Sequence, residues 1–189
     1  PKSAEAHFAV ALAALNTGMG DPAIAKDAQL SADRALALKP DWDRALLVKA
    51  EILGKRSTAE AIALLEDALK RQPDSRPLSG ALAQFLTEER RFGEARAIYR
   101  RSLAADRSQR ELQFGIAVLS IQMKDWDAAE RDLKELKAAG FGEAGQVEFY
   151  LGQVAEERGR HDEALAHYRD VNDGERGWLA KLRMAGVLA

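Results

Sequence analysis

Alanine recurs at positions 28, 61, 95, 129 and 164, with spacings of 33, 34, 34 and 35 residues. A second column of small residues, Ala50, Ala83, Ala117 and Gly152, runs upstream of the first with spacings of 33, 34 and 35. Two columns that drift in step define an internal repeat. A repeat of this length excludes an ordinary single-core domain, because each unit buries its apolar side only against its neighbours. Three segments show the alignment directly: RFGEARAIYRRSLAADR from Arg91, KDWDAAERDLKELKAAG from Lys124 and GRHDEALAHYRDV from Gly159. They place Phe92, Trp126 and His161 in one column, which the spacing predicts to pack at the turn against the following unit.

Each unit holds two stretches of helical period joined by a short polar turn. Leu78, Leu82, Phe85 and Leu86 recur as the stripe of one helix, and Ala95, Ile98, Tyr99 and Leu103 as that of the next. Composition agrees: 36 of the 189 residues are Ala, whereas Val, Ile and Thr together number 16. Asp21-Pro22 reads as an N-cap followed by Pro at the first helical position, and Ser57-Thr-Ala-Glu60 as a capping box. Pro40 and Pro73 close second helices, and Gly140 and Gly142 loosen a later connection. The reading is five helix pairs and a final helix over about Glu175 to Leu188. Small residues stand where antiparallel helices joined by short turns approach most closely, and Leu, Phe, Tyr and Trp fill the grooves beside them.

Charge and composition narrow the chemistry. The net charge of −2 gives no electrostatic reason to expect a nucleic-acid backbone or anionic lipid as partner. Zero cysteines remove disulfides, thiolate nucleophiles and Cys-based metal sites. The longest uncharged run, Ala6 to Gly20, is too short for a membrane span, so direct insertion by this chain is not expected. His161 and His167 are six residues apart, about 120° apart around a helix and unsuited to chelating one metal; a structural role is expected for both. No Gly-rich phosphate loop follows a strand, and carboxylates such as Glu156-Glu157 are sequence neighbours that point apart on a helix. Arg90-Arg91 and Arg100-Arg101 form a local basic patch, expected to be solvated or paired with Glu94 and Glu88. The chain is therefore expected to be no enzyme, with no cofactor and no metal.

The repeat resembles the tetratricopeptide repeat. FYLGQVAEERGRHDEALAHYRDV carries Leu151-Gly152, Ala155, Gly159, Ala164 and Tyr168 of that pattern, and RALALKPDW around Pro40 carries its closing Pro. The resemblance implies an all-α fold, a right-handed superhelical α-solenoid of stacked antiparallel helix pairs. It divides a single array over 1–189 into repeats at 4–40, 41–74, 75–107, 108–141 and 142–174, with a final capping or half-repeat helix at 175–189. The first unit departs by about five extra turn residues around Gly18 to Lys26, and Ala32, Leu65 and Arg107 replace usual family residues. Family members bind a peptide or partner protein in a concave groove lined by the first helices. Here that groove is expected to hold Phe8, Leu12, Leu15, Leu47, Glu51, Gln84 and Glu88. Farther along it adds Phe114, Val118, Ile121, Gln122, Phe149, Gln153 and Glu156. An alternative left open is that Phe114, Ile121 and Phe149 pack between neighbouring helices. A carboxylate clamp of Lys, Arg and Asn, as chaperone-binding members have, is not expected with Leu47, Phe114, Val118 and Phe149 at those positions.

The function expected is a protein-binding scaffold. Alternatives are the recruiting or regulatory arm of an enzyme whose catalytic domain lies elsewhere, and an RNA-binding helical repeat, against which the acidic balance argues. A chain starting at Pro1 is expected to be a piece of a longer protein. AEAHFAVALAAL, ALKPDWDRALLVKAEIL and FYLGQVAEERGRHDEALAHYRDV together resemble the large tetratricopeptide lipoproteins of proteobacterial outer membranes. That group includes adaptors of periplasmic carboxy-terminal processing proteases. This resemblance implies a lipid-anchored parent on the periplasmic face of the outer membrane, while the residues themselves leave a cytoplasmic location open. Trp178, Leu179, Leu182 and Leu188 of the last helix are expected to cover the fifth unit and leave apolar surface free for self-association. A bulky residue at a crossing position should overpack it: Ala117→Leu is expected to cost about 1–3 kcal/mol, read as a lower urea midpoint at unchanged m-value.

Overall fold

The computed structural model of the chain describes residues 3–17, 21–142, 145–171 and 174–188. Among them it is all-helical, without a strand. The order is α1 (Ala4–Thr17), α2 (Pro22–Leu38), α3 (Asp43–Gly54), α4 (Thr58–Arg71), α5 (Arg76–Glu88) and α6 (Phe92–Ala105). There follow α7 (Arg110–Gln122), α8 (Trp126–Ala138), α9 (Gln146–Glu157), α10 (His161–Arg169) and α11 (Gly174–Leu188). None of these helices is long and apolar enough to cross a membrane. The chain forms two compact units, Pro1–Ile98 and Tyr99–Ala189, with the division inside α6.

Local sequence accounts for where the helices begin. Asp21 accepts from the Ala23 N–H at 2.8 Å ahead of Pro22, so residues 22–26 are helical rather than part of the long turn expected there; 18–20 lie outside the described residues. Ser57 and Ser75 cap α4 and α5 by accepting from Glu60 and Leu78 N–H, and Asp125 caps α8. The reciprocal half of the capping box does not form: the Ser57 N–H donates to Leu53 O at 2.7 Å, and Glu60 pairs with Arg56 at 2.7 Å. The ends of α5, α7 and α9 follow one geometry: Arg90, Lys124 and Gly159 all have positive φ, at 59°, 57° and 70°. The N–H after each returns to a carbonyl five residues upstream, as in Arg91 to Leu86 at 2.8 Å and Asp125 to Ser120 at 2.9 Å. Only Gly159 adopts this conformation without side-chain strain.

In the first unit, α1 packs on α2, α3 on α4, and α1, α3 and α5 also touch in succession. Its core gathers Ala11, Ala28, Ala32, Ala35, Val48 and Ile52. In the second unit α7 packs on α8, α9 on α8 and α10, and α11 on both α9 and α10. Leu133, Leu136, Leu151 and Val154 make one cluster there, with Trp126 and Phe141 against it; Ala155, Ala164, Tyr168 and Ala180 belong to a second. Trp126 therefore packs as its column predicts, whereas His161 is exposed at the start of α10. An imidazole in that column keeps its nitrogens hydrated at no cost. His167 does have a structural partner, Glu148, at 2.7 Å.

The small columns are where the helices come closest. Ala28, Ala50, Ala61, Ala83, Ala95, Ala117, Ala129 and Ala164 are all 0% exposed. At Gly152 the reason can be measured: a Cβ there would stand 2.5 Å from Cε1 of Tyr168. Tyr168 is fully buried and its hydroxyl donates to Glu156 at 2.6 Å, so the ring has nowhere to move. Gly152→Ala should accordingly destabilise by about 1–2 kcal/mol in urea unfolding, although Ala is the better helix former.

A cluster of ion pairs ties α8 to the turn between α9 and α10. Glu130 meets Arg160 at 2.8 Å, Arg158 at 3.1 Å and Lys134 at 2.7 Å. Chiefly through its hydrogen bonds with Arg160, the Glu130 carboxyl pKa is lowered from 4.5 to about 2. A depressed folded-state pKa stabilises above the unfolded value and ceases to do so as pH falls through the folded one. The difference in thermal midpoint between the natural protein and Glu130→Gln is expected to be constant above about pH 5 and to close toward pH 2.

Candidate functional site

The predicted groove residues meet three fates. Leu47 and Glu51 of α3 and Gln84 and Glu88 of α5 come together as the lining of one cleft of about 340 Å³. On α3 the lining residues Leu47, Glu51, Gly54 and Lys55 fall at helical spacing, as do Ala81, Gln84, Phe85 and Glu88 on α5, so two adjacent helix faces meet along the cleft. Its floor is apolar, formed by half-buried Leu47, Ala81 and Phe85, while Glu51, Lys55, Gln84 and Glu88 are exposed along its rim. Gln84 donates to Glu88 at 3.3 Å. The floor exists because residue 54 has no side chain: a Cβ there would lie 2.5 Å from Cε1 of Phe85.

Phe8 and Phe149 are core residues instead, 9% and 8% exposed. The Phe8 ring lies 4.7 Å from that of Trp42, centroid to centroid, and Arg44 stands over it at 5.2 Å. Phe149 lies 5.8 Å from Tyr150 and 5.9 Å from Tyr168. Leu12 and Leu15 are half-buried against the first core. Phe114 packs between Phe141 and Tyr150, at 5.8 and 5.3 Å, and Ile121 lies partly buried against the same cluster. Val118 and Gln153 are half-buried and Gln122 is exposed. Glu156 is engaged from both sides, accepting from Tyr168 and pairing with Arg183 at 3.3 Å. Burial of the ring, with that bond added to it, raises the Tyr168 pKa and keeps its hydroxyl a donor.

Sequence reasoning missed Gly54, Lys55, Ala81 and Phe85 as cleft residues. The signal was present in part, since Gly54 and Lys55 continue the Leu47-Glu51 spacing by one further turn. Phe85 was absorbed into the core stripe of its helix, from which its half-exposed ring departs. Among the described residues no group of three His, Asp or Glu side chains is placed to hold a metal ion.

Comparison with known proteins agrees with this architecture. Two tetratricopeptide repeat family profiles match residues 53–113 and 115–174, together well over half of the chain. Subunit 7 of the anaphase-promoting complex from Mus musculus is 32% identical over 130 residues, which are 68% of this chain and 22% of that protein. The chain thus spans about a fifth of the length of the curated relatives it matches. A tetratricopeptide repeat protein from Parabacteroides merdae superposes with a TM-score of 0.80 at 17% identity, covering 99% of this chain and 73% of that one. MamA from Desulfovibrio magneticus RS-1 gives 0.75 at 13% identity over 94% of this chain and 97% of that one. Matched by the family's profiles along both units and built of the same helix pairs, this chain belongs to the tetratricopeptide repeat family.

Proposed function

We propose that the chain is a non-catalytic scaffold that binds an amphipathic peptide, or a helical segment of a partner protein, in the cleft between α3 and α5. The observation that carries this reading is the cleft's division into an apolar floor of Leu47, Ala81 and Phe85 and a polar rim of Glu51, Lys55, Gln84 and Glu88. An apolar side chain entering the floor loses water contact, while the rim supplies both donors and acceptors to a polar flank. The reading extends to an adaptor within a larger cell-envelope protein, supported by the resemblance of the quoted phrases to outer-membrane lipoproteins. Subunit 7 of the anaphase-promoting complex is, by its name, a component of a larger assembly, and membership of an assembly is part of this proposal. Self-association through α11 belongs to it as well, because Trp178 and Leu182, one turn apart, are 63% and 57% exposed. A sedimentation coefficient independent of concentration would remove that element.

The cleft is tested by photocrosslinking from position 84 in cells of the source organism, with and without Ala81→Arg, which fills the floor. Loss of the crosslinked protein in the variant, with circular dichroism unchanged, is the expected result. Equal crosslinking in both would move the binding surface off α3 and α5.

A further inference from the structure

The second unit contains a cleft of opposite character. The end of α6, the residues that follow it, the first turn of α7 and the last turn of α8 enclose about 320 Å³. Three arginines line it, Arg100, Arg107 and Arg110, over a floor of Leu103 and Ala104. Elsewhere in the protein Arg56, Arg71, Arg91, Arg158 and Arg160 face carboxylates. Among the described residues Arg100 and Arg107 have no such partner.

Arg110 is positioned without being neutralised. Its Nη1 donates to Oε1 of Gln113 at 3.0 Å, a neutral acceptor that is 6% exposed. The Gln113 amide donates in turn to Oε2 of Glu135 at 2.8 Å, which ties the one carboxylate of the lining to the cleft wall. Gln113 thus acts as a buried bracket that aims a guanidinium into the cleft. The first turn of α7 adds positive potential, since Gln109 makes no side-chain cap there. A protein of net charge −2 therefore concentrates positive charge at a concave place with an apolar floor, to which acidic groups are steered.

We infer that this cleft docks an acidic segment of a partner protein, whose carboxylates meet the guanidinium groups of Arg100, Arg107 and Arg110 and whose apolar side chain rests on Leu103. Guanidinium forks bind carboxylates through paired hydrogen bonds that an ammonium cannot reproduce. Glu135, the one acidic group of the lining, disfavours a continuous phosphate backbone but leaves room for spaced carboxylates. The inference involves none of the residues of the α3–α5 cleft and stands or falls apart from it.

The test is fluorescence anisotropy on the full chain with a labelled Glu-Glu-Leu-Glu-Glu-Leu peptide, its Gln-Gln-Leu counterpart and a single-stranded RNA of equal charge. The acidic peptide is expected to bind, the amide peptide not, and affinity to fall as salt rises. Arg100→Ala and Arg107→Ala should each weaken binding by about tenfold. Arg107→Lys keeps the charge and an intact fold and should restore only part of the loss. Arg169→Ala, which removes an exposed positive charge on α10 outside both clefts, should leave the affinity unchanged. Binding insensitive to the arginine substitutions in the cleft, equal weakening by Arg169→Ala, or tighter binding of the RNA through the same arginines would each overturn the inference.

Discussion

The close approach of paired helices is the constraint on which the rest of this structure depends. It is possible only where facing positions lack bulk, and the protein provides an Ala or Gly there in successive units. Volume withheld at those positions is taken up next to them. At Gly152 the space is filled by the ring of Tyr168, whose hydroxyl bonds Glu156, which in turn holds Arg183 on α11. One absent side chain on α9 thus fixes a contact chain through α10 to the last helix. The same device at Gly54 has a different result. Phe85 has no hydroxyl to anchor it and stands at a cleft, so the ring that settles on Gly54 becomes floor rather than core.

Charge is distributed by a second rule. Where α8 meets the turn between α9 and α10 at the surface, opposite charges are matched and Glu130 is held by several cations at once. Such exposed pairs contribute modestly one at a time, and a network fixes geometry more than it stabilises. The arginines at the end of α6 and the start of α7 depart from that rule, with a buried amide orienting one of them in place of a carboxylate. Two clefts of opposite electrostatic character, one in each unit, follow from side chains that the shared backbone plan does not dictate.

How much of the candidate site can be read from sequence depends on the residue. Leu47, Glu51, Gln84 and Glu88 follow from the family resemblance and helical period together, and two adjacent helix faces carry them into one cleft. Phe8 and Phe149 satisfy the same periodicity but are buried, since helical angle says which way a side chain points and not what is waiting there. Trp42, on the segment leading into α3, covers Phe8; Tyr150 and Tyr168 cover Phe149. The contact between Glu156 and Arg183 was equally out of reach, as it joins residues 27 apart through helices whose approach the sequence does not state.

By itself the sequence determined the class of fold, the pairing of helices and most of their ends. Those features rest on interactions within a few residues: caps, prolines, turn conformations and the period of the apolar stripe. The repeat spacing extended them, because a column of small residues is a local signature of a close crossing. Only the tertiary structure decided which groove-facing side chains remain accessible, which carboxylates are already engaged and where arginines remain without one. Each of those depends on distances between side chains far apart in the chain, and those distances are set by how bulk is shared out once the helices have met.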